Sequence, residues 1–282
     1  MDQQSSLAAL SWVPADNKLR IRIYVQSNGI LNEYRYDGQN WDPTARPLSG
    51  STSPNSSLAA VGCNNFQFLS VFHRDAANHL CQEYSVDGGN NWKSALPTGG
   101  PRVAHNTLSA APEDQGEIAA VAWPTDKADF SIRVFYQHNR QLTMHNWDPK
   151  PDRWYETTPI PISVDFGHPM SAVHTNVGTR QNVDKIVLFY REPQGQNVAK
   201  GNLAFVEWDG ITKAWRGKAF NSLSSSFTPA SGLYYCPILS AAEVAPGRLA
   251  VYFVSGDEIQ GTGNAGMAAG SIRLATMPLY VN

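Results

Sequence analysis

The chain has 282 residues, 42% of them hydrophobic and 16% charged, with a net charge of −2 and an isoelectric point near 6.4. This is enough apolar mass for one large all-β domain, and it lacks the clustered Lys and Arg that a polyanion partner requires, so nucleic acid is not expected. No apolar run approaches the roughly 18 residues that span a bilayer, and the start MDQQSSLAAL has neither the basic nor the apolar region of an export signal, so no membrane role and a cytoplasmic location are expected.

The predicted elements recur. The first is a strand of small residues, LAALSW from Leu7, followed by the β-branched and aromatic IRIYVQ from Ile21 and the hairpin EYRYDGQNW ending at Trp41. Asp-Gly between β-prone runs is a strong short-range hairpin signal. The second unit repeats the order with LAAVGC from Leu58, LSVFHR from Leu69 and EYSVDGGNNW ending at Trp92. IAAVAW, IRVFYQ and HNWDPKPDRW form the third, from Ile118. MSAVHT, IVLFYR and VEWDGITKAW form the fourth, from Met170. The fifth has LSAAEV from Leu239 and LAVYFV from Leu249, but the Gly-rich DEIQGTGNAGMAAG replaces its tight turn.

Units of this kind start about 50 to 70 residues apart with no amphipathic helix between them, which predicts a β-propeller. The expected fold is all-β, one propeller domain over residues 1–282 with five blades of four antiparallel strands, six being the alternative count. MDQQSS is a candidate closing segment for the ring. Small residues on the first strand of each unit are what crowding at a propeller axis demands.

Other chemistry lacks its motifs. Cys63, Cys81 and Cys236 are an odd set without metal-type spacing and read as reduced thiols. The His residues are scattered and form no zinc set, and no cofactor or metal is expected.

The stretch LAALSW…IRIYVQSNGILNEYRYDGQNW resembles a blade of the fungal fucose-binding lectins, which are six-bladed propellers. The resemblance is close over residues 7–41 and weakens after the third unit. It implies a sugar held between blades, with an Arg of the second strand and a Glu of the third bonding its hydroxyls and aromatic rings covering its apolar side. Carried onto this chain, unit one supplies Arg22, Glu33 and Trp41. Unit two has Ser70 for the Arg but keeps Glu83, and unit three keeps Arg133 but has Met144 for the Glu. Units four and five have neither partner. One complete pair remains, which removes the avidity that multivalent lectins rely on.

The axial funnel is the alternative site. Along the first strands one ring reads Ala9, Ala60, Ala120, Ala172 and Ala241, and the next reads Ser11, Gly62, Ala122, His174 and Glu243. His174 and Glu243, on neighbouring units, are a candidate acid–base pair, with Ser11, Trp12, Trp123 and Thr175 as candidate substrate-binding residues at the mouth. The expected ligand is a small molecule or a saccharide, and a homodimer is the one protein assembly entertained. The leading functional expectation is a cofactor-free enzyme of fungal secondary metabolism, since the scaffold is similar to that associated with fungal hetero-Diels–Alderases that couple a tropolone-derived quinone methide to a terpene. Such a pericyclase works by orientation in a shaped apolar pocket, with acid–base help for dehydration. The other expectation is a fucose-binding lectin whose site is Arg22 and Glu33.

Overall fold

The computed structural model describes residues 6–27, 29–53, 56–63, 65–77, 79–95, 117–125, 129–138, 141–149, 153–156, 160–163, 170–175, 185–194, 197–210, 212–219, 239–245, 248–255 and 271–278. The proposed closing residues 1–5 and the Gly-rich loop of unit five lie outside them. The described residues form five successive antiparallel sheets and no helix. Each sheet is an up-and-down meander, as the repeat predicts of a β-propeller.

Contacts divide the chain into two compact units, Met1–Ile162 and Ser163–Asn282. In the first, sheet one runs β1 (Ser6–Trp12), β2 (Arg20–Ser27), β3 (Ile30–Tyr36), β4 (Arg46–Ser51). Sheet two runs β5 (Ala59–Cys63), β6 (Phe68–Arg74), β7 (Leu80–Ser85), β8 (Lys93–Ala95). Sheet three contains β9 (Ile118–Pro124), β10 (Phe130–His138), β11 (Gln141–Asp148) and β12 (Arg153–Glu156), with β13 (Ile160–Ser163) also pairing β11. β5 lies beside both β1 and β9, so the small-residue strands are the ones that approach one another.

In the second unit, sheet four runs β14 (Met170–Thr175), β15 (Lys185–Gln194), β16 (Asn197–Asp209), β17 (Ala214–Ala219). Sheet five runs β18 (Leu239–Ala245), β19 (Arg248–Ser255), β20 (Ser271–Pro278), with β18 beside β14.

Sheet two shows why the second strands are nearly continuous in apolar residues. All seven residues of β6 are buried, because both of its faces are covered. One face joins Val71 and Leu58 to Tyr24, Leu31 and Leu48 of sheet one, with Ala8, Leu10, Ala60 and Trp92 against them. The other joins Ala59, Val61, Phe68, Phe72 and Leu80 to Ile118, Ile132, Val134, Tyr136 and Trp154 of sheet three. Each fully buried Phe or Leu here contributes about 1.5–3 kcal/mol.

These two layers also account for the small residues. Ala8 and Ala60 both pack against the core between sheets one and two, and Ala120 and Ala122 against the core between sheets two and three. Successive residues of an inner strand therefore point towards neighbouring sheets, and a small side chain is what lets two sheets meet at their inner edges. At Gly62 the space expected in the funnel ring is occupied. A Cβ there would lie 2.3 Å from a ring atom of Phe66, whose ring stacks on Trp12 at 4.2 Å between centroids.

Candidate functional site

The best-built polar constellation lies on one face of sheet one. Register sets it: Arg22 pairs with Leu10 and Arg35, and Tyr24 with Ala8 and Glu33, so Arg22, Tyr24, Glu33 and Arg35 share a face. Tyr24 in this group packs against Val71 and Leu58, so the face looks towards sheet two.

Glu33 is the centre of the group and is 0% exposed. Its Oε1 lies 3.3 Å from Arg22 Nε and accepts from Tyr24 Oη at 3.4 Å. Its Oε2 accepts from Arg35 Nε at 2.7 Å and lies 2.6 Å from Arg35 Nη2. Arg35 Nη2 also donates to the carbonyl of Gly89, brought in by the turn of sheet two. Gly89 has φ +86, and a Cβ there would stand 3.1 Å from Arg35 Nη2 and 3.2 Å from Glu33 Oε1, so glycine is what this approach requires. Arg22 stands over the ring of Trp12, 5.3 Å from its centroid. Burial holds the Arg22 guanidinium below its ordinary pKa, outweighing the pull of Glu33. Burial likewise raises the Tyr24 hydroxyl well above its ordinary pKa, with the Glu33 charge adding to the effect.

Beside this group is a cavity of about 460 Å3, lined by Arg20, Arg22, Arg35 and Arg46, by Asp37, Asn40 and Asp42, and by Trp41 and Pro43. Trp41 is 47% exposed and supplies an open apolar wall. Arg22 and Trp41, expected from the sequence, therefore meet at one cavity. Glu33 is brought to them but sits behind the arginines. The sequence reading missed Arg35, Arg20 and Arg46, which the alternation of β2 and β3 with the start of β4 places together.

The other expected lectin positions are arranged differently. In sheet two, Phe72 occupies the place of Tyr24 and its partner is Gln82, while Glu83 pairs with Val71 on the opposite face. Five residues separate the paired Arg74 and Leu80 of β6 and β7, against two between Ser27 and Ile30 of β2 and β3, and the resulting one-residue slip in pairing moves Glu83 to the other face. Gln82 Nε2 donates to Ser70 Oγ at 2.9 Å, an uncharged pair where sheet one has Arg22 and Glu33. Glu83 accepts from Ser94 Oγ at 2.9 and 2.8 Å, and His73 Nε2 is 3.5 Å away.

In sheet three, Arg133 stands over Trp123 at 5.0 Å, as Arg22 does over Trp12. Its carboxylate comes from Asp148, at 2.9 and 3.3 Å, and the same guanidinium donates to the carbonyls of Ile132 and Trp147. Asp148 belongs to the hairpin repeat, which is the signal that could have identified it.

Of the funnel residues, Ser11 is exposed, Trp12 is half-buried beneath Arg22 and against Phe66, Trp123 is buried and Thr175 is fully buried. His174 is half-buried on β14, paired in register with Ile186. Glu243 pairs with Leu249 on β18, and its side chain lies outside the described residues. No group of three or more His, Cys, Asp or Glu able to hold a metal ion occurs among the described residues.

The fold is shared with solved structures. The lectin AAL of Aleuria aurantia, as a mutant in complex with Fucα1-6GlcNAc, is similar with a TM-score of 0.64 and 19% identity, over 99% of this chain and 81% of that one. The SapL1 lectin in complex with α-methyl fucoside gives 0.63 and 20%, over 98% and 80%. AofleA of Arthrobotrys oligospora gives 0.62 and 18%, over 90% and 66%. No curated protein sequence matches the chain. The model of the fungal fucose-specific lectins matches residues 49–272, well over half of the length, and the chain belongs to that β-propeller family.

Proposed function

We propose that the protein is a carbohydrate-binding lectin, with a fucose-type sugar as ligand and the unit-one cavity as its site. The observation that carries this reading is the cavity itself, where Arg22, stacked over Trp12 and beside the buried Glu33, lines the same space as the open ring of Trp41. A fixed cation with donors for hydroxyl oxygens, beside an exposed indole for a C–H face, is the chemistry a saccharide needs. Family membership and likeness to lectins solved with fucosides support it. Arg22 and Trp41 contact the sugar, and Glu33 acts through Arg22 as a positioning residue. The pericyclase reading rests on His174 and Glu243, and the Glu243 side chain lies outside the described residues.

The test is titration of the full chain with methyl α-fucoside and fucosylated glycans by calorimetry. Saturable binding that Arg22→Ala abolishes, in a protein that still melts cooperatively, is expected. Binding untouched by Arg22→Ala would remove the unit-one assignment.

A further inference from the structure

The charge pattern of the unit-one cavity narrows the ligand, given the saccharide reading above. Glu33 is 0% exposed, so a ligand entering the cavity meets the guanidiniums of Arg22 and Arg35 and not the carboxylate between them. Those two cations share the single charge of Glu33, which leaves the trio one positive charge in excess. The outer arginines differ, because each has its own carboxylate four residues away, Arg20 with Asp16 at 2.7 Å and Arg46 with Asp42 at 3.2 Å. Asp37, also on the rim, turns Oδ1 back to the backbone N–H groups of Gln39 and Asn40, both at 2.8 Å. Asp42 likewise accepts from the backbone of Thr44 at 3.0 Å. The rim carboxylates are thus engaged with their own turns, while the floor offers donors.

A guanidinium only donates, and a neutral sugar hydroxyl both donates and accepts, so a floor of donors favours a group that only accepts. Arg22 Nε is buried and makes no hydrogen bond, although Glu33 Oε1 is 3.3 Å away. An added negative charge here would offset a cation that burial disfavours.

We propose that the unit-one cavity takes an acidic saccharide, a sugar carrying a carboxylate or a sulfate ester, whose oxyanion docks on Arg22 and Arg35 while its ring lies against Trp41. Arg35 is then the specificity-determining residue, supplying the charge that a site for a neutral sugar does not need.

Calorimetry on the full chain with methyl α-fucoside, its sulfate ester, a methyl galacturonide and inorganic sulfate tests this. At least one acidic sugar should bind about tenfold or more tighter than neutral fucoside. The advantage should shrink between about 0.05 and 0.5 M salt, as an exposed ionic contact does. Which acidic sugar binds identifies the oxyanion as carboxylate or sulfate. Arg35→Gln should remove the advantage and Arg35→Lys restore part of it. If Arg35→Gln does not fold, the comparison of probes and its salt dependence on the unaltered protein decide the matter. Equal affinity for neutral and acidic sugars overturns the proposal and leaves the lectin reading standing. A folded protein that binds no saccharide overturns both. Inorganic sulfate bound as tightly as the sulfated sugar overturns the saccharide part and leaves a plain oxyanion site.

Discussion

Arg133 grips Asp148 at two points, Nη1 to Oδ1 at 2.9 Å and Nη2 to Oδ2 at 3.3 Å, while Ser131 Oγ donates to the same carboxylate at 2.6 Å. The guanidinium is engaged by this pair and by two backbone carbonyls, which makes it a strut between β10 and β11. Arg133→Ala should cost about 1–3 kcal/mol of stability, because it strands a half-buried carboxylate, and should leave saccharide binding unchanged. Urea unfolding and a parallel titration check both; a loss of binding without a loss of stability would make Arg133 a ligand contact instead.

Gly62 leaves room for the ring of Phe66 on Trp12. Gly62→Ala should destabilise by about 1–3 kcal/mol through overpacking and alter the fluorescence of Trp12. Adding Phe66→Ala should relieve the clash and recover part of the loss. Indifference of the single variant would show that the ring has somewhere else to go.

Trp41 is exposed and lines the cavity, so its role separates cleanly from folding. Trp41→Ala should weaken sugar binding by about tenfold while moving the unfolding midpoint little. Unchanged affinity would move the apolar contact to another residue.

Two desolvated groups make opposite contributions to the pH dependence of stability. Burial pushes Glu117, which accepts from Ser57 Oγ at 2.7 Å, up to about 7. Its folded pKa is raised, so between about 4.5 and 7 the folded state holds the proton that the unfolded state has lost, and stability falls as pH rises. Glu117→Gln should abolish that fall. Burial lowers His145 to about 4, and its Nε2 is hydrogen-bonded with Tyr136 Oη at 2.6 Å. Between about 4 and 6.5 the unfolded state binds the extra proton, so this group makes stability rise with pH, and His145→Gln should remove that rise. Unfolding midpoints at half-unit pH intervals, in each variant, resolve the two slopes; each has an upper bound of about 1.4 kcal/mol per pH unit.

The order of strands and hairpins was legible in the sequence, because Asp-Gly turns, alternation and small-residue strands are local properties of the chain. The repeated Asp37, Asp87, Asp148 and Asp209 marked the meanders, and the match of residues 7–41 to a lectin blade identified Arg22, Glu33 and Trp41. What the sequence did not determine was which side of a sheet each polar residue would face and what would then cover it. Glu33 and Glu83 stand at the same distance before their Asp, yet the longer connection between β6 and β7 shifts the pairing by one residue and puts Glu83 on the opposite face. Arg35 looked like an ordinary hairpin residue until the carbonyl of Gly89, from another sheet, held it across Glu33. Strand period is local, but register and the approach of one sheet to the next depend on turns and packing far along the chain, and these decide which charges a ligand meets.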